Sequence, residues 1–246
     1  MIKKDLIEYC CRQINLVSMG SCGAFVHGLE DEFLSVRSIT VESLTKLSVN
    51  NPTLAIIALD FLVDMFNDEI GHVRLKAIDA LTAIAQHIKL QVHQLEIILS
   101  ALDDYSTIVR EKLHIMLQSS SIATKDGLKM VITKLLTNLK RYPQDKRSIL
   151  NTFKRLGANH PDLTLPLVTS LLDIHPFFDR AEPDIEDTSY LCTLVLILNA
   201  AQHSPTLLPL LDSHTRRHHS YLQVLKHQFL KGNNDAKIAV SYTHLT

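Results

Sequence analysis

The chain has 246 residues, 46% of them hydrophobic and 21% charged, with a formal net charge of −1. That is enough apolar material for a sizeable core, and the near-neutral balance excludes a strong nonspecific pull toward nucleic acid or anionic membrane, leaving room only for local basic patches. Seven glycines, no tryptophan and an abundance of Leu, Ile, Ala and Lys favour helix over sheet.

The chain opens on Met1-Ile2-Lys3-Lys4-Asp5-Leu6, which carries no signal-peptide apolar stretch. Residues 1–20 are expected to form a helical lead-in. Cys10, Cys11, Cys22 and Cys192 show no Cys-x-x-Cys spacing, so they suggest neither a zinc ribbon nor a redox motif. They read as free thiols of a reducing compartment. Gly20-Ser21-Cys22-Gly23 with Gly28 lacks the Gly-Lys-Ser/Thr of a phosphate loop and reads as the start of a closely packed helix.

From residue 29 a phrase recurs three times: Leu29-Glu30-Asp31 with Val36-Arg37, Phe66-Asn67-Asp68 with Val73-Arg74, and Leu102-Asp103-Asp104 with Val109-Arg110. Each arginine follows its aspartate by 6 residues, and the arginines are 37 and 36 residues apart. A leucine stands 7 residues after each arginine, at Leu44, Leu81 and Leu117. A constant period of this length marks a solenoid of stacked helical hairpins. Within each unit the apolar spacing is helical. Phe33 to Val49 forms the second helix of the first unit. Thr53, after Pro52, opens a helix through Met65, stopped by Asn67 and Asp68. A partner helix follows with Val73, Ala77, Ile78, Leu81 and Ile84 on its buried face. Val92 to Leu102 and Ile108 to Leu117 make the third pair. Residues 21–120 are therefore expected to hold regular repeats.

Residues 121–230 are expected to hold degenerate hairpins: Thr124 to Lys140, Ser148 to Leu156, then a helix from Pro161 through Leu172 that Pro166 shortens or kinks. The basic turn Lys140, Arg141, Lys146 and Arg147 reads as solvated, with an anion contact as the alternative. His175 to Tyr190, with Pro176, Pro183 and five carboxylates, reads as a loop carrying contacts. Leu191 to Gln202 is expected as a buried helix and Ser213 to Phe229 as an amphipathic one. The apolar run near Leu191–Leu198 is too short to span a bilayer. Residues 231–246 have no periodicity and read as a disordered tail, with 240–246 looking foreign to the rest.

Among candidates for chemistry, the pairs Asp31/Arg37, Asp68/Arg74 and Asp104/Arg110 read as a structural ladder. In each, the aspartate caps the second helix and the arginine bridges to a neighbouring turn. Threefold repetition argues against catalysis. His214 and His218 share a helix face at i, i+4, a spacing that can hold zinc, but no glutamate lies between them as a metalloprotease helix requires. With Arg216 and Arg217 they read first as a basic, solvent-facing helix. No catalytic, cofactor or metal residues are assigned. Asp179, Glu182 and Asp184 of the acidic loop, with Arg216, Arg217 and His218, are the candidate partner contacts, because concentrated charge steers association.

The repeat phrase as a whole resembles HEAT repeats. Longer strings are more specific: Gly20-Ser-Cys-Gly-Ala-Phe-Val-His-Gly-Leu-Glu-Asp-Glu32, Leu59-Asp-Phe-Leu-Val-Asp-Met-Phe-Asn-Asp-Glu-Ile70, His175-Pro-Phe-Phe-Asp-Arg-Ala-Glu-Pro-Asp184 and Leu194-Val-Leu-Ile-Leu-Asn-Ala-Ala201. These resemble the family of the fourth subunit of the Integrator complex, over about residues 20–221, as a partial chain lacking the family's C-terminal region. The resemblance implies an all-α HEAT-repeat solenoid and a nuclear, non-catalytic scaffold. It implies as partners the metallo-β-lactamase-fold pair of the module that cleaves small nuclear RNA and nascent transcripts, with no direct sequence-specific nucleic-acid binding and no membrane. It also implies an inositol polyphosphate associated with that module, without assigning its ligands. The alternatives are another HEAT adaptor, such as a transport receptor or phosphatase scaffold, and a metal-dependent enzyme built on His214 and His218.

Overall fold

The computed structural model of the protein describes residues 24–174 and 182–231. The lead-in, Cys10, Cys11, Cys22, Gly20, Gly23, Asp179 and the tail beyond residue 231 lie outside those residues. The chain divides into two units, Met1–Ser121 and Ile122–Thr246. Among the described residues, strand occurs only at Lys89–Leu90 and Ser121–Ile122; everything else regular is helix.

The first unit contains α1 (Ala24–Leu29), α2 (Leu34–Ser48), α3 (Pro52–Asp64), α4 (Gly71–Ile84), α5 (Val92–Ser100) and α6 (Thr107–Ser119). The start of α3 shows how the local sequence sets an element. Asn51 is extended, and its side chain accepts a hydrogen bond from the Leu54 N–H at 3.1 Å. Pro52 occupies the first helical position, where its missing N–H costs nothing. The cap is thus Asn51, one residue before the proline, and not Thr53 after it. Both α3 and α5 tighten at their ends into 3₁₀ turns, Met65–Asn67 and Ala101–Asp103, immediately before Asp68 and Asp104.

Stacking follows chain order. Helix α2 packs on α4 and α4 on α6, while α3 packs on α5 and, as a hairpin, on α4. Leu44, Leu81 and Leu117 all lie in the core. Seven residues is nearly two helical turns, so each leucine falls on the same face as its arginine, deeper in the stack. At Gly28 a Cβ would run into the Thr40 side chain, so α1 lies close against α2.

The second unit contains α7 (Lys125–Arg141), α8 (Lys146–Asn159), α9 (Pro161–Thr164), α10 (Val168–Leu171), α11 (Thr188–His203) and α12 (Ser213–Lys231). Helices α7 and α8 pack on each other across the short turn Pro143–Asp145. Helix α11 is buried at every position from Leu191 to Ala201, the mark of a helix surrounded by others. It packs on α7, α8, α9 and the 3₁₀ turn Pro205–Leu210. Its closest neighbour is α8, where a Cβ on Gly157 would clash with the Leu196 carbonyl. Helix α11 begins at Thr188, earlier than its apolar run, because Asp187 caps it by accepting from Ser189 N and Tyr190 N at 3.0 and 3.3 Å. The helix expected from Pro161 to Leu172 is broken into α9, a 3₁₀ turn at Leu165–Leu167 and α10. Pro166 lies inside that turn, since it has no N–H to continue an α-helix.

Candidate functional site

The aspartates of the repeated phrase fold into identical turns. Asp31, Asp68 and Asp104 each accept, through Oδ1, the N–H two residues ahead: Phe33, Ile70 and Ser106, at 2.8 Å in all three. These turns precede α2, α4 and α6 instead of capping them, because the aspartate stands two residues before the capping position. Each arginine then reaches back over its own turn. Arg37 Nη1 donates to the carbonyls of Asp31 and Glu32, Arg74 Nη1 to those of Asp68 and Glu69, and Arg110 Nη1 to those of Asp104 and Tyr105.

The ion pairs run between repeats, not within them. Arg37 donates through Nε and Nη2 to both oxygens of Asp68, at 2.8 and 3.2 Å. Arg74 Nη2 donates to Asp104 Oδ2 at 2.9 Å. Side-chain exposures are 10% and 6% in the first pair, 24% and 19% in the second. At that burial the fork-shaped guanidinium specifies geometry as well as adding attraction. One side chain closes its own turn and clamps the next, and this is a structural device with no exposed reactive group.

A second inter-repeat ladder lies on the outer side of the same helices. Lys76 donates to Glu42 at 3.1 Å, and Lys112 to Asp79. Lys76 and Lys112 stand two residues after their arginines, and Glu42 and Asp79 five after theirs. The period would have exposed this pattern had the positions after each arginine been aligned. The corresponding positions Ile39 and Ile115, where no such rung forms, are exposed isoleucines. Two lysines hold the Glu42 carboxyl below the usual carboxylate range.

In the second unit the structure joins two segments that the sequence presents separately. Glu182 Oε1 lies 3.2 Å from His218 Nε2, and Glu182 Oε2 lies 3.4 Å from Arg217 Nη2 and 3.6 Å from His214 Nδ1. Tyr190 OH bonds His218 Nδ1 at 2.9 Å with the two rings edge to face. Arg217 Nη2 also donates to His214 Nδ1. Arg216 is exposed, and its side chain donates to the Pro209 carbonyl at 3.3 Å. Asp184 closes a turn by accepting from Glu186 N at 2.8 Å. The helix is therefore basic and solvent-facing at Arg216 and Arg217, whereas His218 is buried against Tyr190. Tyr190, which the sequence did not single out, is the residue that orients His218.

No group of three or more His, Cys, Asp or Glu side chains suited to a metal ion occurs among the described residues. Arg217, a fixed cation, lies beside both His214 and Glu182. Cys192 is a buried thiol pushed up to about 12, chiefly by desolvation, so it is a core residue and not a nucleophile. An open depression of about 420 Å³ is lined by Asp126, Lys129, Met130, Thr133, Lys134 and Thr137 of α7, apart from all of these clusters.

No family model matches the chain. Over 212 residues, 86% of its length, it is 50% identical to Integrator complex subunit 4 of Drosophila melanogaster. Over 210 residues, 85% of its length, it is 49% identical to the Homo sapiens protein of that name. Over that stretch the chain is thus similar to Integrator complex subunit 4. The Dictyostelium discoideum Integrator complex subunit 4 homolog is 40% identical over 210 residues. The chain spans about a fifth of the length of the Integrator subunits it matches, 21% and 22% of the two first named. Among solved structures, a designed armadillo repeat protein aligns over 90% of this chain and 96% of its own at 14% identity and a TM-score of 0.49. No helix among the described residues is long and apolar enough to cross a membrane.

Proposed function

We propose that this chain is a segment of a non-catalytic scaffold subunit of the Integrator complex, acting in the nucleus. In this reading it supports the RNA endonuclease module in small nuclear RNA 3′-end processing and nascent transcript cleavage. The observation that carries the reading is the 49–50% identity to Integrator complex subunit 4 over 85–86% of the chain. Stacked hairpins supply extended surfaces of the kind that hold protein partners. The arginines and aspartates of the repeated phrase are engaged in packing. The partners are the metallo-β-lactamase-fold pair, reached through Arg216 and Arg217 and the acidic segment at Glu182 and Asp184. Asp179 belongs to that segment in sequence. A transport or phosphatase adaptor would have no reason to share half its residues with Integrator subunits.

No ligands are assigned to the inositol polyphosphate that the resemblance implies. Lys129 and Lys134 share their depression with Asp126, and Arg37 and Arg74 are held by carboxylates, so no residue is given that role. The test is co-expression of the full-length subunit with the metallo-β-lactamase-fold pair, followed by pull-down. The subunit should recover the pair and show no nuclease activity alone. The double variant Arg216→Glu/Arg217→Glu should recover less of it while keeping its helical circular dichroism. Undiminished recovery would remove the start of α12 from the interface.

A further inference from the structure

The contact between Glu182 and the first turns of α12 has the form of an occupied receptor. Two donors, His218 Nε2 and Arg217 Nη2, address the two oxygens of one carboxylate from different residues. Each donor is oriented by a second group. Tyr190 bonds the far side of the His218 ring at 2.9 Å, and His214 Nδ1 accepts from the same Arg217 Nη2. With Tyr190 donating to Nδ1, the His218 ring carries its proton on Nε2, directed at Glu182. Of the two donors His218 is held by burial, at 11% exposed, while Arg217 and the occupant Glu182 are open, at 61% and 46%. An ion pair that open is weakly held, so Glu182 is displaceable.

We propose that His218 and Arg217, braced by Tyr190 and His214, form a carboxylate-binding site for an acidic segment of a protein partner, and that Glu182 is its built-in competitor. The charge argues for a carboxylate over a phosphate. Arg217 is the one fixed positive charge of the site, which matches one carboxylate and leaves a phosphate dianion half uncompensated. The tethered Glu182 presents itself at an effective concentration on the order of millimolar, which keeps the site closed to weak acidic ligands and opens it to a segment carrying several carboxylates. The inference deepens the scaffold reading by giving one partner contact its chemistry.

The test needs no partner, so its failure is distinguishable from failure of the scaffold reading. A fluorescent octa-glutamate peptide is titrated into the full chain at low salt. Glu182→Gln should bind it about tenfold more tightly than the unmodified protein, and Glu182→Ala should show the same gain. Adding Arg217→Glu to Glu182→Gln should abolish the gain, and adding Tyr190→Phe should reduce it, all with unchanged helical circular dichroism. Equal affinity with and without Glu182 overturns the proposal, as does a gain that survives Arg217→Glu. A response to inorganic phosphate but not to the peptide overturns the choice of ligand.

Discussion

Arg37 shows how much one side chain can organise. Its guanidinium closes its own turn through two carbonyls and clamps the following turn through both oxygens of Asp68. Hydrogen bonds to charged groups are individually worth about 1.5–3 kcal/mol, and removing one member of a buried pair leaves the other uncompensated. Arg37→Ala should therefore destabilise the protein by about 2–4 kcal/mol in urea unfolding. The Arg37→Ala/Asp68→Ala cycle should return a coupling energy of about 1–3 kcal/mol. A coupling near zero would mean that the rung is ornamental.

His160 gives the second expectation at this scale. Its Nε2 accepts the Ile122 N–H at 2.8 Å, and its Nδ1 is buried with no hydrogen-bond partner. Burial lowers its pKa. As pH falls through about 6.5, the unfolded chain takes up this proton before the folded one does. The stability contributed by neutral His160 is thus complete above that pH and is lost as pH falls toward the folded value. Protonation would also set an Nε2–H against the Ile122 N–H. His160→Gln should flatten the part of the stability profile lying below pH 6.5 in thermal melts. An unchanged slope would assign that dependence to the other histidines.

At the scale of elements, two helix contacts are sensitive for opposite reasons. Leu81 fills the α4 face between neighbouring repeats and is fully buried. Leu81→Ala should cost about 2–5 kcal/mol by leaving a cavity. Gly157 is the reverse case, since even one added methyl meets backbone at Leu196 and not a yielding side chain. Gly157→Ala should cost about 3 kcal/mol by forcing α8 away from α11, and a near-neutral result in denaturant unfolding would contradict that packing. The contrast also shows what was legible beforehand. Leu81 belongs to a pattern stated three times, so its burial could be read from spacing. Gly157 is a single glycine in an ordinary helix, and its closeness to Leu196 depends on how two helices 39 residues apart cross. The ladder divides in the same way. The recurring aspartate and arginine were visible, but the partner of Arg37 is 31 residues away in the next repeat, and only the stack reveals that. Likewise the opposite charges of Glu182 and Arg217 were apparent in their own segments, while nothing local connects positions 35 apart.

For the whole molecule, the two units differ in what their charged residues do. The first is regular, and its arginine–aspartate and lysine–glutamate rungs hold repeat to repeat. The second is organised around a fully buried helix and carries the exposed charge at Arg216, Arg217 and Glu182. The proposed scaffold role draws on surfaces of this kind. The claim is tested most directly by affinity purification of the full-length subunit from nuclear extract, with identification of the co-purifying proteins. The account predicts recovery of the metallo-β-lactamase-fold pair of the RNA-cleavage module together with other Integrator subunits. Recovery of transport or phosphatase components without that pair would contradict it.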